Sequence, residues 1–236
     1  MCGRYTLLSP MKELIDFFQL PTDFALFEPR YNIAPTQPVW AIRATIIGEP
    51  GQPVVKRVST FFHWGLVPSW SKRPDQGASL INARAETLAE KPSFRNAFKR
   101  RRCLIPTTGF YEWQARGKKK QPLYIRLVRE KLFAFAGIFE EWNGPNGELL
   151  ETCAIVTTTA NELMRTIHDR MPVILHPGDY DAWLNPRTDD VEALEHYLVP
   201  YPASDMSAEP VDQFVNSARN EGPKCLEPFK EEASLF

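Results

Sequence analysis

The sequence predicts an α+β fold, a single domain built on a mostly antiparallel, partly closed, barrel-like sheet with short peripheral helices. Three observations carry this. Short runs of apolar, β-branched and aromatic residues recur with close turns between them. Long helical periods do not alternate with them, so the parallel βαβ architecture is disfavoured. The 236 residues, 43% hydrophobic and 24% charged, suffice for a sizeable core, and no repeat, low-complexity tract or Gly/Ser linker divides them. The domain is expected to span residues 1–236, with a weakly structured segment from about 201.

Taken in order, Ser9-Pro10 ahead of Met11, Leu14, Ile15, Phe17 and Phe18 reads as a short amphipathic helix with a cap residue and Pro in the first turn. Residues 20–38, rich in Pro, Asn and Thr and without a sustained period, read as an ordered loop. Strands are expected at 39–47 and 54–64, flanking Gly48-Glu49-Pro50-Gly51. More follow at 102–106, 110–114, 123–128, 132–139 and 152–158, with turns at Arg116-Gly117-Lys118 and Asn143–Gly147. Helical patterns fall at 93–99, at 161–166 with Thr159 and Glu162 spaced as a capping box, and at 189–198. The last acidic residues of the tail are expected to be mobile.

A formal charge of -1 argues against holding nucleic acid through bulk positive charge, although a basic face balanced by an acidic one remains open. Cys2, Cys103, Cys153 and Cys225 form no C-x-x-C pair, so neither a structural zinc site nor a redox dithiol is signalled, and no cofactor or metal is expected. The first twenty residues hold no apolar signal core and no long apolar span occurs, which reads as a cytoplasmic protein.

Cys2 is the residue with the most distinctive chemistry. With Met1 removed it carries a thiol and a free α-amine on one carbon, and that pair condenses with an aldehyde, first to an imine and then to a thiazolidine. Glu112, between Tyr111 and Trp113 in a strand pattern, suits proton transfer if it is desolvated; the same pattern fits an outward residue on a wet sheet face. His168, followed by Asp169 and Arg170, suits either proton transfer or capping of a helix end. Asn82 and Arg84 stand at i and i+2, on one face of an extended segment, where an amide and a guanidinium suit a phosphate or sugar oxygen. A structural turn with an Arg84–Glu86 ion pair is the alternative. Trp70, among Pro68 and Ser69, could stack on an unpaired base, whereas Trp64 reads as core. The runs Lys99–Arg102 and Lys118–Lys120 could follow phosphates or simply be solvated.

Five segments in fixed order carry these residues: Met1-Cys2-Gly3-Arg4-Tyr5, Arg30–Pro35, Ile81–Glu86, Gly109–Trp113 and Ile167–Pro172. As a set they closely resemble the SRAP family, the SOS-response-associated peptidase-like proteins that process abasic sites in DNA. The resemblance implies that Cys2 is the nucleophile that cross-links the ring-opened sugar as a thiazolidine. It also implies that Asn82 and Arg84 hold the abasic nucleotide, that Glu112 shuttles protons, and that His168 assists ring opening. Arg4, Asn32, Trp70 and Arg170 match positions expected to line the DNA path. The implied partner is single-stranded DNA with abasic sites, at junctions with duplex as well; AP-lyase behaviour and self-removal of Met1 also belong to the family. A monomer is the default expectation. Two other readings of the residues stay open at this point: an N-terminal-nucleophile cysteine hydrolase or peptidase, and a non-catalytic single-strand binder.

Overall fold

A computed structural model describes residues 2–21, 26–48 and 54–230. Along the chain run β1 (Tyr5–Leu7), α1 (Met11–Phe18), β2 (Arg30–Ile33), β3 (Pro38–Ile47), β4 (Val54–Trp64) and β5 (Asn82–Arg84). Then come α2 (Arg95–Arg100), β6 (Arg102–Thr107), β7 (Gly109–Arg116), β8 (Lys119–Leu127), β9 (Phe133–Asn143), β10 (Leu149–Thr159) and α3 (Glu162–Arg165). The chain continues through β11 (Arg170–Pro172), β12 (Ile174–Leu175), α4 (Tyr180–Leu184), α5 (Val191–Glu195) and β13 (Met206–Pro210), joined by short 3-10 turns.

Five of these strands close on themselves. β3 pairs with β4 and β6, β6 with β9, β9 with β10, and β10 returns to β4 through a short parallel contact at Thr152↔His63 and Cys153↔Trp64. The remaining contacts of this ring are antiparallel, so the expected barrel-like α+β fold is found. Closure explains why β9 is buried along nearly its whole length and alternates small residues with aromatic ones: a Cβ on Gly137 would come within 2.7 Å of the Cys103 sulfur. β5 and β11 extend β10, and β12 extends β9.

A second, open antiparallel sheet has the order β13-β8-β7-β1-β2. It meets the barrel through Tyr5, whose ring packs edge-on to Trp64 (5.5 Å) and Phe135 (6.0 Å). The N-terminal residues are thereby held in the seam between the two sheets.

Several expectations need correction. Pro10, not Ser9, is the N-cap of α1, and no side chain caps that end; Ser9 lies one residue too far out. The stretch 20–38 is not all loop, because Arg30–Ile33 pairs with β1 as β2. α3 is capped by Asn161, whose side chain accepts from the Met164 N–H, while Thr159 is the last residue of β10. The segment from Tyr201 is ordered through residue 230: β13 pairs with Leu123–Leu127 of β8, and Val211, Val215 and Cys225 bury against Tyr111. Its few apolar residues suffice because they fill a face of β7 that is already flat and aromatic. The turn at 49–53 and the acidic tail at 231–236 lie outside the described residues.

Arg102 also departs from the phosphate-tracking reading of its basic run. It is buried, and its guanidinium donates to the carbonyls of Phe98, Lys99, Trp183, Asn185 and Thr188. Burial lowers its pKa to about 10, and it serves to tie α4 and the following loop to the barrel. Among the described residues no helix is long and apolar enough to cross a membrane.

Candidate active site

β7 decides the position of the carboxylate. Tyr111 and Trp113 turn toward the C-terminal segment, so Phe110, Glu112 and Gln114 turn the other way, toward the barrel. Both faces of the strand are therefore covered, and Glu112 is only 3% exposed rather than outward on a wet face. β1 lies beside β7 in the register Tyr5↔Phe110, and the Tyr111 N–H donates to the Arg4 carbonyl at 2.9 Å. Cys2 precedes β1 at this end of the seam, and the Glu112 carboxylate is near enough to act on its thiol electrostatically.

The barrel supplies the third member. β5 runs parallel to β10 with Ile155↔Asn82, and the indole N–H of the buried Trp64 donates to the Ile81 carbonyl at 2.9 Å, fixing the start of that strand. From there Asn82 Nδ2 donates to the main-chain carbonyl of Cys2 at 2.9 Å. Ala83 faces the core between Asn82 and an exposed Arg84, which has no carboxylate within 4.0 Å among the described residues. Glu86 is not Arg84's partner: Arg170 takes it, with Nη1–Oε1 at 2.6 Å and Nη2–Oε2 at 2.9 Å.

Cys2 itself is fully buried. Burial pushes its thiol well up, and the nearby Glu112 carboxylate pushes the same way; an Arg4 backbone N–H opposes them more weakly. The resting group is a neutral thiol beside a carboxylate. His168 lies in the turn after α3, with Nδ1 accepting from the Arg170 N–H at 3.0 Å and 2.7 Å from Asp169 Oδ1. That turn is tied to β7 by Gln114 Nε2, which donates to the Thr166 carbonyl at 2.9 Å.

A protein-family model described as SOS response associated peptidase (SRAP) matches residues 1–218. The chain belongs to the SRAP family. It is 44% identical over 230 residues to the abasic site processing protein YoqW of Bacillus subtilis (strain 168), covering 96% of this chain and 99% of that one. It is 34% identical to the abasic site processing protein HMCES of Gallus gallus, covering 86% of this chain and 67% of the relative. A crystal structure of a Bacteroides thetaiotaomicron protein superposes with a TM-score of 0.84 at 27% identity, covering 97% of this chain and 100% of that one.

Within this SRAP fold the more peripheral sequence candidates divide by exposure. Trp70 is 59% exposed, on a loop pinned from both sides: the Trp142 indole donates to the Ser71 carbonyl at 2.7 Å, and Ser69 bonds to the buried Glu140. Arg84 is likewise exposed. Asn32 and Arg170 are not, contrary to a place along a DNA path. Asn32 is fully buried, with Nδ2 donating to the carbonyls of Ser217 (3.0 Å) and Asn220 (2.8 Å) while Oδ1 accepts from Arg4 at 2.7 Å. Arg170, 8% exposed, spends its guanidinium on Glu86 and the Thr157 carbonyl.

Arg4 is half-buried. It holds Asn32 and the Val215 carbonyl (2.9 Å), and its guanidinium lies 5.5 Å from the centre of the Trp113 ring. Sequence reasoning missed this C-terminal clamp. The residues 213–220 that form it carry no periodic signal, whereas Trp113 was visible as an aromatic neighbour of Glu112. Among the described residues no group of three or more His, Cys, Asp or Glu is placed to hold a metal.

Proposed function

We propose that the chain processes abasic sites in single-stranded DNA, including single-strand stretches at duplex junctions, by covalent capture at Cys2, and that it acts as a monomer. The observation that carries this reading is the cluster at the seam of the two sheets: Cys2 with its carbonyl held by Asn82 and its thiol beside Glu112. The relatives, abasic site processing proteins at 34–44% identity, support the same substrate.

Once Met1 is removed, the Cys2 amine attacks the C1′ aldehyde of the ring-opened deoxyribose. A C–N bond forms and the aldehyde oxygen leaves as water, giving an imine. The thiol then adds across the C=N bond; sulfur bonds to C1′ and the thiol hydrogen passes, by way of Glu112, to the nitrogen. Asn82 orients Cys2, Arg84 meets the adjoining phosphate, His168 assists opening of the sugar ring, and Trp70 offers a stacking face. Thiazolidine closure removes the electron sink that an imine would offer to β-elimination, so the strand is kept intact.

The amine makes the first attack, so capture does not start from the resting thiolate that burial and the Glu112 carboxylate oppose in the chain bearing Met1. Matured protein incubated with an abasic single strand is expected to give an adduct that survives denaturation; an equal yield from Cys2→Ala would remove Cys2 from the reaction.

A further inference from the structure

The site leaves one cluster of the sequence unused, the cations at the tip of the β7–β8 hairpin. Arg116 stands opposite Lys119 and Ala115 opposite Lys120, so Gly117, with φ 61°, opens a two-residue turn that only a residue tolerant of positive φ can make without strain. Arg116, Lys118, Lys119 and Lys120 are all exposed, and none has a carboxylate within 4.0 Å among the described residues. Arg30, Arg43 and Arg57, on other strands, each have one, as does Arg126 at the far end of β8. In a chain of net charge -1, this is a local field directed at a polyanion.

The tip borders a groove of about 420 Å³ lined by Trp113, Lys119, Lys120, Gln213 and Asn216. Its indole wall is fixed: Trp113 Nε1 donates to Asn216 Oδ1 at 2.7 Å, and Arg4 covers the ring. Trp113 and Glu112 face opposite sides of β7, so the groove lies one strand's thickness from the reaction centre, with Arg4, two residues from Cys2, over its indole wall and the lysines at its far end. Cations, neutral amides and an aromatic wall together suit a phosphodiester chain, which presents a charge at every residue alongside sugar and base surface.

We propose that this groove holds the backbone of single-stranded DNA flanking the reacting nucleotide, with Lys119 and Lys120 each contacting a phosphate. This rests on the capture of abasic DNA at Cys2, and the test separates the two. Anisotropy of a lesion-free labelled single strand is followed against salt for the wild type, for Lys119→Gln/Lys120→Gln, and for a control pair of exposed lysines elsewhere, Lys12→Gln/Lys131→Gln. Loss of two phosphate contacts is expected to reduce the magnitude of the log–log salt slope by roughly 1.4 and to weaken binding about tenfold in the groove variant alone. Adduct formation at saturating abasic single strand, where affinity no longer limits the rate, is expected to keep its wild-type rate in all three. An unchanged slope in the groove variant, or an equal loss in the control, overturns the groove. So does competition by polyglutamate as effective as competition by DNA, which would assign the groove to an acidic peptide. Absence of adduct in every protein counts against the Cys2 reading, while the slopes still judge the groove.

Discussion

The side-chain amide of Asn82 donates to the main-chain carbonyl of Cys2 at 2.9 Å, across 80 positions of sequence and between the two sheets. It is a bond to the backbone rather than to the reactive thiol, so it sets where the amine and the thiol sit without competing for either. Replacing Asn82 with Ala removes the donor and leaves the fold's cores untouched. Adduct formation is expected to slow by about 5- to 150-fold, the range of one buried hydrogen bond's 1–3 kcal/mol, with urea unfolding nearly unchanged. Single-turnover kinetics on abasic single strands measure it. A wild-type rate would mean that Cys2 is placed by β1 alone.

Glu112→Gln keeps the shape of the buried side chain and removes its charge and its basicity. The variant is expected to slow thiazolidine closure by about 10²-fold while lesion-free DNA binds as before. Loss of binding in a titration would recast Glu112 as a structural residue.

Arg170 offers a stability test. Arg170→Met removes the donor to the buried Thr157 carbonyl and releases the exposed Glu86 carboxylate to water, and is expected to cost about 1–3 kcal/mol in urea unfolding. Lesion-free DNA affinity is expected to fall less than for Arg84→Ala, since Arg84 is exposed and Arg170 is not. The reverse order of affinities would return Arg170 to the DNA surface.

Alkaline pH is expected to destabilise the protein. Burial raises the thiols of Cys2, Cys103 and Cys153 above their ordinary value. The folded state then keeps protons that the unfolded chain releases, so stability is full below the unfolded thiol pKa of about 8.5 and falls as pH rises past it. Each thiol contributes a slope of up to about 1.4 kcal/mol per pH unit. Urea midpoints at pH 8 and pH 9.5 read this, and equal midpoints would contradict it.

Much of this arrangement was legible in the sequence, for a physical reason: the reactive residues sit at the ends of strands whose apolar patterns are strong. The hairpins β3–β4, β7–β8 and β9–β10 follow from alternation and turn residues, and Cys2, Asn82 and Glu112 fall at predictable places on or beside them. What alternation could not show was which faces remote segments cover. Glu112 is inside rather than wet because its face of β7 meets the barrel while residues 211–225 cover the Tyr111 and Trp113 face, and Asn32 is saturated because residues 217–220 reach back to it. Arg170 pairs with Glu86 across 84 positions, a partnership that local spacing assigns to Arg84 instead. Closure of the barrel through a parallel β4–β10 contact is equally non-local, since it needs the whole chain between Trp64 and Thr152 to return.

The central claim is that the amine and the thiol of Cys2 both bond to one sugar carbon. Cys2→Ser keeps the amine of the matured terminus and removes the sulfur, so its reaction with an abasic single strand should stop at the imine. Intact mass spectrometry and denaturing gels, with and without borohydride, are expected to show a wild-type adduct that is stable without reductant and one water lighter than the sum of its parts. The Cys2→Ser protein should give an adduct only when borohydride is present, with strand cleavage in its absence. A stable, unreduced adduct from Cys2→Ser at the wild-type yield would contradict the thiazolidine and leave the thiol without a role.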